Sequence, residues 1–335
     1  MIKAAYILHS ELVNTTADDV KKLDVINIAF AHCRDSRFYF DGESSLSHLE
    51  RLRDANPEIK ILVSIGGWGS GGFSTMSRSK ETRARFAKSC LHAIQKYRLD
   101  GVDIDWEYPC LDWAGIDASI DDRVNFTKML EEVRRTFDEY DPELMLTIAV
   151  GNDSYFIENT EMDKVSKVLN YVSLMTYDMR GCGNSITGHH TNLYMPKNRS
   201  LPRAHRSVEN SVRIFSEAGV PKEKLVIGIA FYSRMWQSVE SLANNGLWQK
   251  AAPGDYGPSY HEIKERFLNR NGFTRYYDSE CEAPYLFDGN TFISYDDETS
   301  IAAKCRYVKK EGLAGVMYWE HSCDNTRTLL AAIQD

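Results

Sequence analysis

Leu99-Asp100-Gly101-Val102-Asp103-Ile104-Asp105-Trp106-Glu107-Tyr108-Pro109 alternates acidic and apolar side chains from Val102 to Glu107. Strict alternation is the signature of a β-strand, in which successive side chains point to opposite faces. Asp103, Asp105 and Glu107 therefore share one face, roughly 6.6 Å apart per two residues. Carboxylates this close repel one another and resist joint desolvation, so at neutral pH the row should hold at least one proton. That is the state a general acid needs. A solvated acidic face and a divalent-cation site are the alternatives. The apolar opposite face argues against the first, and the lack of a companion cluster of oxygen ligands against the second.

Around this strand, short β-rich apolar runs alternate with amphipathic helical runs. Strands are expected at 3–8, 24–31, 59–66, 100–106, 143–150, 170–177, 224–231 and 313–319. Helices are expected near 16–22, 46–55, 79–97, 121–140, 160–168, 204–219, 299–311 and 324–334. In the clearest helix Phe86, Cys90, Ala93, Ile94 and Tyr97 recur at helical spacing while Arg85, Lys88 and Lys96 are polar. Eight strand–helix repeats imply an α/β protein with parallel strands and, at this count, a closed (β/α)8 TIM barrel. An open doubly wound sheet would need a glycine-rich phosphate loop after the first strand, and Ile7-Leu-His-Ser-Glu-Leu12 contains none.

One interval breaks the rhythm. The stretch between Phe231 and Thr299 is too long for an ordinary strand–helix loop and carries its own aromatic residues, Trp236, Tyr256 and Phe273 among them. It reads as a small α+β insert between the seventh strand and its helix, with a helical stretch at Tyr260–Leu268. The barrel then comprises 1–235 and 297–335, and the insert 236–296.

The chain has 335 residues, 43% apolar and 26% charged, with a net charge of −8. That length buries a full core without staples. The negative charge and the absence of a Lys/Arg tract argue against nucleic acid and anionic membranes as partners. No apolar run approaches the roughly 20 residues of a membrane span. Seven scattered cysteines without a C-x-x-C pair suggest free thiols in a reducing compartment. With no signal-peptide layout at the start, the expected location is cytoplasmic, although removal of a leader would leave a similar start. A monomer is expected.

In a barrel of this kind, chemistry collects at the C-terminal ends of strands. Those ends read Ser64-Ile-Gly66-Gly67-Trp68, the acidic row, Met175-Thr-Tyr177-Asp178, Phe231-Tyr232-Ser-Arg234 and Met317-Tyr-Trp319-Glu320. Acids and aromatics at five of eight strand ends outline a cleft with flat apolar walls and polar contacts, the usual form of a sugar site.

Asp-Gly-x-Asp-x-Asp-x-Glu, Ser-x-Gly-Gly, Met-x-Tyr-Asp and the terminal tryptophan resemble the family 18 glycoside hydrolases, the chitinases, and the insert resembles the α+β insertion of the deep-cleft members. The resemblance implies Glu107 as proton donor and Asp105 as the group orienting the substrate acetamide. Asp103 would be Asp105's partner, Tyr177 the phenol on the acetamide oxygen, and Trp319 the floor under a distorted sugar. It also implies cleft-lining roles for Trp68, Met175, Asp178, Tyr232 and Arg234, and more loosely for Tyr6 and Phe30. Chitin or chito-oligosaccharide would be the substrate, with no metal or organic cofactor. A peptidoglycan or spore-cortex N-acetylglucosaminidase, an endo-acting enzyme on N-glycans and a non-catalytic chitin-binding lectin share the scaffold and stay open. Two features depart from the family pattern. Ser233 stands where relatives often carry glycine, and the loop Gly181–His190 matches no known function. Its His189-His190 pair reads as a solvated loop or substrate rim, with a metal pair as the alternative.

Overall fold

The computed structural model describes residues 1–201 and 203–334. Eight parallel strands close on themselves: β1 (Ile2–Leu8), β2 (Val25–Arg34), β4 (Lys60–Gly66), β5 (Gly101–Asp105), β6 (Met145–Val150), β7 (Val172–Leu174), β8 (Leu225–Ala230) and β14 (Gly315–Trp319). Their order around the ring is β1-β14-β8-β7-β6-β5-β4-β2, and pairing of β2 with β1 completes the (β/α)8 TIM barrel. A short strand β3 (Arg37–Tyr39) folds back on the end of β2 as an antiparallel hairpin.

The alternation read in the sequence sorts β5 as expected. Asp103 and Asp105 point inward, while Trp106 packs outward, its ring stacked on Phe73 at 5.4 Å and edge-on to Phe126 at 5.8 Å. Phe73 also meets Phe86, which lies with Ala87, Cys90, Ala93 and Ile94 on the buried face of helix Lys80–Tyr97. That helix starts with a capping box in which Ser79 accepts from Thr82 N and Thr82 reaches back. Gly66 is required where β4 passes β5. Its φ is +128°, and a Cβ there would fall 1.9 Å from the Asp105 carbonyl oxygen.

Between β8 and helix Glu298–Glu311 lies a second, antiparallel sheet. Its strands are β9 (Tyr232–Trp236), β10 (Asp255–Ser259), β11 (Thr274–Asp278), β12 (Ala283–Phe287) and β13 (Phe292–Ser294), in the order β10-β9-β13-β12-β11. This sheet takes in residues 232–235, which the sequence reading had left in the barrel. Only Phe231 separates β8 from β9, so the apolar run carries no internal signal of the change of sheet. Period-two packing divides the insert's side chains. Tyr285, Phe287 and Phe292 join Trp236 in a small core of their own, while Leu286 and Ile293 face the main core. The stretch expected as a helix at Tyr260–Leu268 is one α-turn, Tyr260–Glu262, followed by a wider π-turn, Ile263–Phe267.

A buried ion pair fastens the insert to the barrel. Lys304 Nζ lies 2.6 Å from Asp296 Oδ2 and 2.6 Å from Thr191 Oγ1, and Asp296 Oδ2 also accepts from Ala230 N. Among the described residues, no helix is long and apolar enough to cross a membrane.

Candidate active site

Asp103, wholly buried on β5, is held by three hydroxyl donors from three other barrel strands. Thr147 Oγ1 on β6 donates to Oδ1 at 2.6 Å, while Ser64 Oγ on β4 and Tyr6 Oη on β1 donate to Oδ2 at 2.7 and 2.9 Å. Burial raises the Asp103 carboxyl above its usual range, and these three donors pull it back. Asp105 lies one turn of the pleat nearer the mouth, 3% exposed, and its Oδ1 has no hydrogen-bond partner within the protein. Burial, then the charges of Glu107 and Asp103, push its carboxyl well above the usual carboxylate range. Glu107 is pushed up to about 7 by burial; a hydrogen bond from Tyr108 opposes this and the charge of Asp178 adds to it. The row is thus graded. A hydroxyl-clamped carboxyl sits at the bottom, one pushed well above the usual range in the middle, and an acid poised near neutrality at the mouth.

Tyr177 faces the row from the segment that follows β7, and burial followed by the charges of Asp105 and Glu107 raises its phenol well above the usual value. The segment carrying it is held from below. Asn152 donates to the Met175 and Tyr177 carbonyl oxygens at 2.8 and 2.7 Å, and Thr176 Oγ1 donates to Gly228 O at 2.8 Å. Tyr232 stands edge-on to Tyr177 at 5.9 Å. Asp178, with a left-handed φ of +55°, accepts from Arg234 Nε at 2.7 Å. Burial raises Asp178, but His190 and Arg234 more than offset it and hold the group below the usual carboxylate range. Ser233 occupies an ordinary strand position and donates to Pro258 O at 2.6 Å.

Trp319 sits at the end of β14, stacked on Phe30 at 5.4 Å and 6.0 Å from Tyr6. In the ring order β14 and β5 are four strands apart, so Trp319 and the acidic row face each other across the mouth. Trp68 is 61% exposed beside Tyr108. All twelve residues singled out in the sequence thus gather at this end of the barrel, but Tyr6 is placed differently from the cleft wall expected of it. It is 2% exposed with its hydroxyl spent on Asp103, a support under the row.

The loop Gly181–His190 requires a correction. His189 and His190 are buried, at 2% and 0% exposure, where a solvated loop or substrate rim was expected. The second sheet covers them. His189 Nε2 lies 3.0 Å from Asp278 Oδ2, and Ser294 Oγ accepts from His190 N at 2.9 Å. His189, Asp278 and Cys281 bring ligand-type atoms within 4.8 Å of one another, the one such trio among the described residues. Sequence reasoning gave no role to Thr147 or Asn152. A polar residue inside the run Leu146-Thr147-Ile148 on an inward position was the available signal for Thr147.

A parallel barrel with an acidic row rising to its mouth, a facing phenol and an aromatic floor is the architecture of a sugar hydrolase. The chain belongs to the Glycosyl hydrolases family 18, whose sequence profile matches residues 4–324. It is 34% identical over 306 residues to "Chitinase A1" of Niallia circulans and 30% identical over 304 residues to "Chitotriosidase-1" of Mus musculus. Each match covers 85% of this chain but only 43% and 63% of those proteins. A solved structure of a family 18 N-acetylglucosaminidase from Paenibacillus barengoltzii shares 49% identity and superposes with a TM-score of 0.95, covering 99% of this chain and 98% of that one.

Proposed function

We propose that the protein hydrolyses β-1,4-linked N-acetylglucosamine chains, chitin or chito-oligosaccharides, with retention and with the substrate's own acetamide as nucleophile. The graded row carries this reading. Glu107, raised to about 7, is an acid that still holds its proton near neutrality and can deliver it to the glycosidic oxygen. The acetamide carbonyl then attacks the anomeric carbon and forms a cyclic oxazolinium ion. Asp105, whose Oδ1 has no partner within the protein, accepts the acetamide N–H and holds the acetamide in position for attack. Tyr177 donates to the acetamide oxygen. The ionised Glu107 then draws a proton from the water that opens the ring. No enzymic nucleophile takes part, so the close carboxylate spacing of ordinary retaining glycosidases is not required. No metal or organic cofactor enters these steps.

A second reading is removal of single N-acetylglucosamine units from chain ends. The likeness to the Paenibacillus N-acetylglucosaminidase, over nearly the full length of both chains, favours it. Product analysis on chitin oligomers, beside purified peptidoglycan and an N-glycoprotein, separates the readings. Chitin oligomers are expected to be cleaved, with N-acetylglucosamine alone as the early product only in the exo-acting case. Glu107→Gln is expected to lose at least ~10²-fold in turnover. Intact chitin oligomers beside degraded peptidoglycan would overturn the chitin reading.

A further inference from the structure

We propose that a small cavity behind the Gly181–His190 loop is an anion site, which takes one chloride-sized ion between Arg180, Arg206, His189 and Asn192. Arg180 follows Tyr177 and Asp178 by only a few positions, yet it is turned away from the cleft and is 3% exposed. Together with the buried His189 and Asn192 it lines a cavity of about 10 Å³, to which Arg203, Arg206 and Trp248 also contribute. That volume admits one water-sized or monatomic guest and is too small for a phosphate or a sugar.

Charge decides between a water and an anion. Three guanidinium groups and an imidazole converge on this one space. Asp153 accepts from Arg206 Nε at 2.7 Å and lies 3.1 Å from His205 Nε2, so its charge is already shared. Asp278 faces His189 from the second sheet, with Oδ2 3.0 Å from Nε2. Burial, then the charges of Arg203 and Arg206, lowers Arg180 to about 10. Burial, then the charge of Arg206, lowers Arg203 as well, while Asp153 opposes the shift. Like charges gathered away from water repel far more strongly than in solvent, and an anion among them replaces that repulsion with attraction. The same three arginines oppose a cation, which disfavours a metal ion at the neighbouring trio of His189, Asp278 and Cys281.

A buried polar atom supplies independent support. With Nε2 engaged by Asp278, His189 Nδ1 is left buried without a partner inside the protein. Burial raises Asp278, but the hydrogen bond and charge of His189 more than offset it and bring the carboxyl to about 2. Asp278 is therefore a standing acceptor for Nε2–H, which frees Nδ1–H to donate to an anion. Gly188 lets the wall close. A Cβ there would fall 2.5 Å from both Arg180 Cδ and Trp248 Cζ3, whereas the guanidinium now sits 5.1 Å from the Trp248 ring. Arg206 Nη1 also donates to Met179 O at 3.4 Å. A bound anion thus braces the segment that continues from Tyr177 and Asp178.

The test is thermal unfolding in sodium gluconate, with chloride, bromide or sulfate titrated in at constant ionic strength. Chloride and bromide are expected to raise the melting temperature saturably, by about 5 °C at a hundredfold excess over Kd. Sulfate, too large for the cavity, should leave it unchanged, and Arg180→Gln should abolish the halide response. Bromide-soaked crystals of the parent, measured at the bromine absorption edge, need no variant and decide the matter if Arg180→Gln fails to fold. An anomalous peak between Arg180, His189, Asn192 and Arg206 is expected. No halide response, a response shared equally by sulfate, or one retained in Arg180→Gln would overturn the proposal. So would a cavity holding only water in the bromide-soaked crystals, or a bromide peak with no halide shift in solution, which marks binding at crystal concentration only.

Discussion

Replacing Glu107 by Gln should make the protein more stable while disabling it, and the gain should depend on pH. Glu107 is raised from 4.5 to about 7 in the folded protein, burial being the largest cause. Each unit is worth about 1.4 kcal/mol, so keeping Glu107 ionised in the fold costs up to about 3 kcal/mol relative to the unfolded chain. The sign follows from proton counting. Between the two values the folded state binds the extra proton, so stability falls as pH rises from 4.5 towards 7 and stays low above it. A glutamine resembles the protonated acid at every pH and escapes this loss. Melting temperatures of parent and Glu107→Gln should therefore nearly coincide at pH 4.5 and diverge as pH rises. By pH 8 the variant should melt about 5 °C higher, at roughly 2 °C per kcal/mol for a chain of this size. A variant no more stable than the parent at pH 8, or an offset independent of pH, would refute the claim that the site holds this acid at an energetic cost.

Two further outcomes follow from the same row. Thr147→Val keeps the shape of the side chain but removes the 2.6 Å donor to the buried Asp103 carboxylate. It should cost about 1–3 kcal/mol in thermal or urea unfolding, as expected when a buried acceptor loses its partner; a change below about 0.5 kcal/mol would show that this contact does not hold Asp103. Turnover by the parent should fall above about pH 7, where Glu107 loses its proton; a rate still rising at pH 9 would assign the donor role to another group.

The parts legible in the sequence are those with short-range causes. Alternation at Val102–Glu107 fixed a strand, its polar face and its apolar face from neighbouring residues alone. Helix Lys80–Tyr97 was readable because its apolar residues recur within one element. What the sequence hid depends on closure in three dimensions. Tyr6, Ser64 and Thr147 reach Asp103 from sequence separations of 97, 39 and 44 residues. Nothing local distinguishes a threonine that clamps a carboxylate from one that fills space. His189 and His190 looked like loop residues because the sheet that buries them arrives some hundred positions later, at Ser294. The entry into that sheet at Tyr232 was hidden because the apolar run of β8 continues without a break through Phe231 into Tyr232.

The most direct test of the account is to offer the protein chitotetraose and its fully de-N-acetylated counterpart at equal concentration and follow reducing ends. Cleavage of the first and no detectable cleavage of the second is the predicted result, because the attacking group resides on the substrate. Comparable hydrolysis of the glucosamine tetramer would contradict the account and require a nucleophile supplied by the protein.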